Sequence, residues 1–285
     1  MRNKSIAFLI LAAITFAACG GQNEPTNEAN GALKGKFSIS ADKQIRFSQG
    51  NLQYRASDKL WRFADSQLET IGEGNKNISD TYDGFIDLFG WGTGNNPTNT
   101  QTDKTYYNLF TDWGVNPISN GGNHANLWRT LSNDEWLYIL HGRTGAEALL
   151  AQATVNGTRG LILLPDDFQL PKGVSFYPVT EKGLAWDEKT EEYSTHDGVN
   201  HFTDNIYTPD EWQKLEASGA VFLPLTGGRY GTGVGSSDDN GGLYWTSTPA
   251  EGMGAYYLAI VNNYIDMQEI ERFFGYCVRL VQDVK

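Results

Sequence analysis

Residue types able to make or break bonds are few and scattered in this chain. Its two cysteines, Cys19 and Cys277, lie far apart, and its four histidines are spread along the sequence. His196 and His201 sit in a polar stretch at a spacing that does not place two imidazoles on one helix face, so they read as exposed loop histidines. Asp166-Asp167 and Glu191-Glu192 could supply an acid and a base, although nothing in their spacing separates them from a solvated loop. Gly231-Thr232-Gly233-Val234-Gly235 clusters glycines, but no helix follows to offer its N-terminus to a phosphate. Neither a Gly-x-Ser-x-Gly elbow nor a His-Glu-x-x-His pair occurs. Cys277 reads as a small buried hydrophobe. Binding chemistry is better supplied. Trp91, Tyr106, Tyr107, Trp113 and Trp128 lie in or near irregular segments rich in Asn and Gly. Such rings stack on the apolar faces of sugars while amides meet the hydroxyls. The alternative is that these rings fill a core and anchor long loops. Trp136, Trp212 and Trp245 fall inside regular elements and are assigned to the core.

The N-terminus carries a different chemistry. Arg2 and Lys4 precede the apolar run Ile6–Phe16, broken only by Thr15, and Ala17-Ala18-Cys19-Gly20 follows. The run is about a dozen residues, whereas a membrane span needs about 20. The layout resembles a bacterial lipoprotein signal, with Phe16 where that pattern prefers Leu. The resemblance implies a signal peptide over residues 1–18 and diacylation of Cys19. It also implies export to a membrane, with the outer membrane expected, facing the surface or the periplasm. The alternative is plain secretion with cleavage near Ala18. Residues 19–34 read as a polar, flexible tether. A lipidated Cys19 leaves Cys277 without a disulfide partner, so the fold must stand on its hydrophobic core. A net charge of −12 argues against nucleic acid and against docking on anionic lipid. No later stretch approaches the length of a span, so the lipid is the only expected membrane attachment.

The elements that must position these residues read as an α+β chain. Aromatics are 13% of residues and charged residues only 20%, with 32 glycines, a mixture that suits loop-rich sheet better than a helical bundle. Lys36–Ser40 and Gln44–Ser48 alternate polar and apolar about a turn at Ala41-Asp42-Lys43, and Asn51–Tyr54 pairs similarly with Leu60–Phe63. Gly84–Gly92 reads as packed coil. Ser132-Asn133-Asp134-Glu135 and Thr208-Pro209-Asp210-Glu211 are capping boxes, each opening a helix of about ten residues. The helices should stop at Gly142 and Gly219. Gly160–Pro165 and Ala220–Leu225 read as buried strands. Residues 171–207 read as an inserted surface excursion holding a short helix or a hairpin. Three strands, 243–248, 255–260 and 275–281, are expected to close the chain.

In order, Asp134-Glu135-Trp136, Phe222-Leu223-Pro224, Gly227-Gly228-Arg229, Tyr244-Trp245-Thr246-Ser247-Thr248, Tyr256-Tyr257 and Gly275-Tyr276-x-Val278-Arg279 resemble the Fibrobacter succinogenes major paralogous domain and its lipoprotein relatives. More distantly they are similar to the formylglycine-generating, sulfatase-modifying enzymes. The likeness covers residues 125–282 well and 35–113 loosely. It implies a C-type lectin-like fold: a twisted antiparallel sheet, two helices and long loops. Residues 35–285 would then form one such domain with an N-terminal β extension. The enzymes use a copper site of two cysteines, which Cys277 alone cannot rebuild. By the same resemblance, Ca²⁺ would be held by Asp238, Asp239 and Asn240 before one strand and by Asn262, Asn263 and Asp266 after the next. Carboxylate, amide and carbonyl oxygens suit that ion. The Glu-Pro-Asn type of triplet is absent, and the same residues also serve ordinary turns. The expectation is therefore a non-catalytic surface protein without a required cofactor, recognising a glycan or protein ligand. The alternatives are an enzyme derived from the formylglycine-generating family and a structural subunit or adhesin.

Overall fold

The computed structural model describes residues 30–179, 184–187, 192–195, 201–236, 241–261 and 264–284. Within these the protein is mixed α+β, mostly sheet. The hairpin Phe37–Ser38 with Gln44–Phe47 forms at the expected turn, with Phe37 opposite Ile45. Its outer edge is closed by the last strand, Val281–Asp283, so Val281 faces Phe47 and the two ends of the fold share one sheet. Leu52–Arg55 and Leu60–Phe63 pair antiparallel, and Phe85–Ile86 joins them at the other side of Leu52–Arg55. A four-stranded sheet sets Leu150–Val155 and Thr158–Leu163 between Ile206–Tyr207 and Val221–Pro224.

Both helix starts form as capping boxes. In α1 (Asn133–Leu137) Ser132 Oγ accepts the Glu135 amide at 3.2 Å, and the Glu135 carboxylate accepts the Ser132 amide at 2.8 Å. The helix then widens into a π turn, Tyr138–Gly142. In α2 (Pro209–Ala217) Thr208 and Glu211 do the same, and Gly219 follows at φ +93°. Trp212 of α2 packs edge-on against Phe222 of the four-stranded sheet, 5.6 Å between centroids.

Two expectations need correction. Residues 275–281 do not make the third strand of the C-terminal sheet. Gly242–Pro249 and Gly254–Val261 are instead joined by Tyr264–Glu271. The segment 275–280 threads the middle of the molecule, each amide meeting a different neighbour. Tyr276 donates to Phe89 O at 2.9 Å, Cys277 to Leu243 O at 3.0 Å, and Val278 O accepts from Leu52 at 2.9 Å. A segment buried on every side shows no alternation that distinguishes strand from thread. The tether also ends earlier than Gly35. Ala32 and Leu33 are buried, Leu33 donates to Phe47 O at 2.8 Å, and Asn30 Nδ2 donates to Gln282 Oε1 at 2.9 Å. Two apolar residues beside an open strand edge pack rather than stay in water. The 171–207 excursion contains the hairpin Leu184–Asp187 with Glu192–Thr195 and a 3-10 turn, His201–Thr203. Its acidic turn, 188–191, lies outside the described residues.

Candidate functional site

The irregular segment 89–113 is built on the edge of the C-terminal sheet. Trp245 Nε1 donates to Phe89 O at 2.7 Å, and Trp91 Nε1 donates to Thr246 O at 2.8 Å. Gly92 adopts φ +67°, and beyond it Thr93 and Thr111 pair as a single bridge. That bridge, with Gly94 donating to Thr111 O at 3.0 Å and Thr111 to Gly92 O at 2.9 Å, closes the neck of a loop. Inside the loop, the Asp103 carboxylate accepts the Thr105 amide at 2.9 Å and caps the 3-10 turn Lys104–Tyr107.

Two arginines tie this loop to the core. Buried Arg229 donates to Leu88 O at 3.1 Å, to Asn99 O at 3.3 Å and to Gly231 O. Burial pulls its pKa down to about 10, and no carboxylate offsets that cost. Arg272 lies 4.4 Å over the Trp91 ring and donates to Gly254 O at 2.8 Å and Tyr107 O at 3.4 Å. The Tyr107 hydroxyl donates inward to Gln101 O at 2.9 Å. Its ring lies so close to Gly90 that a Cβ there would stand 2.3 Å from Tyr107 Cε1, which requires glycine at that position.

The loop walls a cleft of about 290 Å³. Asn95, Asn96, Asn99 and Asn108 supply amides to it and Thr105 a hydroxyl, while Tyr106 and Leu109 stand at its rim, 62% and 83% exposed. Among the described residues no charged side chain lines it. Lys104, at the start of the same turn, lines a second cleft of about 430 Å³. Glu251, Glu269 and Glu271 line that one, with Lys104, Met253 and Phe273.

Of the five aromatics proposed for stacking, only Tyr106 offers its ring to solvent. Trp91 and Tyr107 line the cleft but are 2% exposed, held by the bonds above. Trp113 and Trp128 are core residues away from it. Trp113 packs 6.0 Å from Phe110, and Trp128 packs 4.7 Å from Phe63 and donates to Gly121 O at 2.8 Å. A buried ring whose indole N–H meets a carbonyl gives up its faces to packing. Of the calcium set, Asp238, Asp239, Asn240, Asn262 and Asn263 lie outside the described residues. Asp266 is described: it is buried, and its carboxylate accepts Met267 N at 2.7 Å and the Tyr264 hydroxyl at 3.3 Å. Among the described residues no group of three or more His, Cys, Asp or Glu side chains could hold a metal ion.

The remaining candidates are tied into the structure. The Asp166 carboxylate accepts Ser38 N at 2.8 Å, Ser38 Oγ at 2.7 Å and Gln44 Nε2 at 2.9 Å, and Arg143 lies 3.2 Å away. His196 lies outside the described residues, and of His201 only the backbone is described. Cys277 is buried, with Asn51 Nδ2 donating to Sγ at 3.6 Å, and burial pushes its thiol far above the ordinary range. The glycine cluster forms the hairpin Gly228–Tyr230 with Gly233–Gly235, and Gly231 lies against Thr102. The clamps Arg229 and Arg272 escape sequence reading. Their one signal is an arginine set among glycine, aromatic and apolar neighbours, which must find buried acceptors. No protein-family model, curated protein or solved structure matches this chain. No helix among the described residues is long and apolar enough to cross a membrane.

Proposed function

We propose that this protein is a non-catalytic surface protein, held at a membrane by a lipid on Cys19, that binds a glycan or protein ligand in the cleft beside Tyr106. The observation that carries the reading is the lining of that cleft. Among the described residues it is made of amides, three threonines, the exposed Leu109 and one exposed ring, without a charged side chain, on a loop fixed by Arg229 and Arg272. Amides that donate and accept, set beside an apolar face, match a ligand dense in hydroxyl or peptide groups. Preorganisation of the loop lowers the ordering cost of binding. The enzyme alternative is disfavoured by the state of Cys277, a buried thiol kept protonated. Antiparallel sheets, two capped helices and long stapled loops support a C-type lectin-like arrangement.

The test is an array of glycans and secreted bacterial proteins probed with the purified full-length chain. Tyr106→Ala should weaken the best ligand roughly tenfold, in line with the worth of one ring contact. The exposed site should leave the melting curve unchanged. Binding should persist in EDTA, since the reading needs no metal. A ligand whose affinity ignores both Tyr106→Ala and Asn108→Ala would place recognition elsewhere.

A further inference from the structure

One guanidinium touches the linings of both clefts. Buried Arg272 donates to Gly254 O at 2.8 Å and to Tyr107 O at 3.4 Å, and it lies 4.4 Å over the Trp91 ring. Gly254 lines the cleft of about 430 Å³, whereas Tyr107 and Trp91 line the cleft of about 290 Å³. The turn makes the same passage within one residue, since Lys104 lines the larger cleft and Thr105 the smaller. The two cavities are therefore neighbours, and Arg272 and the turn both belong to the wall they share.

The larger cleft has an aromatic wall of its own. Phe273 lines it. Phe274 stacks on Phe273 at 5.1 Å between centroids and Tyr230 meets it edge-on at 5.7 Å, so two other rings fix its orientation. Lys104 and the three glutamates of the same lining are exposed. None of these four makes an ion pair or a side-chain hydrogen bond among the described residues, so their hydrogen-bonding capacity is open to a ligand.

We infer that the two clefts are consecutive subsites for one glycan chain, and that the ligand is an oligosaccharide rather than a single sugar. The inference rests on the reading that the cleft beside Tyr106 binds a glycan. Pockets that enclose a small ligand run to about 300–1,000 Å³, so each cleft alone is near the lower end of that range. Each offers an apolar ring face beside groups that bond hydroxyls. In the smaller cleft these are Tyr106 and the asparagine amides. In the larger they are Phe273, carboxylates that accept and an ammonium that donates. Sugar units that reach the second subsite bind as part of a chain already held at the first, so their contacts add affinity without a second association cost. The hold of Arg272 on both Gly254 O and Tyr107 O keeps the two subsites in register.

The experiment titrates the full-length chain with galactose, glucose and mannose oligosaccharides, from dimer to hexamer. In at least one series the hexamer should bind roughly tenfold or more tightly than the dimer. Phe273→Ala should bring that ratio down towards one. Because Phe273 is half-buried, the double variant Glu251→Ala, Glu269→Ala supplies a second reading. It alters exposed side chains only, so it should lower the ratio with the melting curve unchanged. Tyr106→Ala, by contrast, should weaken dimer and hexamer alike and keep the ratio. Affinity that does not grow with length, or a ratio that ignores both the ring variant and the carboxylate variant, would overturn the extended site and leave glycan binding at the first cleft standing. Failure of every oligosaccharide to bind would remove the glycan reading, and the extended site with it.

Discussion

Tyr106 turns its ring to water while Tyr107, one residue on, buries its own beneath Gly90. Composition could mark both as aromatic and loop-bound but could not say which faces out, because a 3-10 turn swings successive side chains by about 120°. Cys277 illustrates a second residue-level point. Cys277→Ser should cost about 1–3 kcal/mol as a smaller, more polar group enters the core. Asn51 Nδ2 lies 3.6 Å from Sγ, and the shorter C–O bond draws the new hydroxyl out of its reach. Urea unfolding measures the loss, and ligand affinity should stay intact. Copper-dependent oxidation of a peptide thiol by the wild type, lost in this variant, would overturn the binding reading. Asp87 carries a pH dependence. Burial raises its carboxyl to about 6, against the pull of hydrogen bonds from Ile71 N at 2.9 Å and Asn75 Nδ2 at 2.8 Å. Unfolded, the same group ionises near ~3.9. Between those values the native state holds the extra proton, so stability from this group falls as pH rises through the window. About two pKa units correspond to about 3 kcal/mol. In urea titrations from about pH 4 to about pH 6.5, the wild type should lose most of that, about 2 kcal/mol, relative to Asp87→Asn. A pH-independent difference between the two proteins would contradict it.

At the scale of elements, the clamps on the loop 89–113 make a separable prediction. Arg272→Leu removes two bonds to carbonyls and the cation over Trp91. It should cost about 1–3 kcal/mol. Hydrogen exchange of the 104–108 amides should accelerate while the four-stranded sheet stays protected. Unchanged exchange in the loop would mean that Arg272 is not what holds it. Elements written in a few adjacent residues were legible in the sequence. The hairpin at Ala41-Asp42-Lys43 and both capping boxes rest on local chemistry, and they formed as read. Tyr264–Glu271 does not stand out as a strand in sequence because its polar and apolar residues alternate imperfectly and it ends in acidic residues. The segment 275–280 reads as a strand, whereas its role is set by neighbours from distant parts of the chain: Phe89, Leu243 and Leu52. The candidate site was legible as an irregular Asn-rich loop, but its cleft depends on Arg229 and Arg272, which lie far along the chain.

At the scale of the whole molecule, anchoring is the property most open to test. On the proposed lipid anchoring, Cys19→Ala should release the protein from the membrane fraction or stall its processing, because diacylation would supply the strong hydrophobic anchor. A variant that stays membrane-bound through a salt wash would refute lipid anchoring. The sheet shared by Gln44–Phe47 and Val281–Asp283 bears on the same journey. One edge of the first sheet waits for a partner from far along the chain. A chain threaded unfolded across a membrane, as the proposed lipid anchoring would require, would thus have that sheet unclosed until Val281–Asp283 cleared the channel. Premature locking on the wrong side is disfavoured by the order in which the strands arrive. Chains truncated before Val281 should stay open to protease under conditions in which the full chain resists, so the C-terminal strand would serve as the timer of maturation.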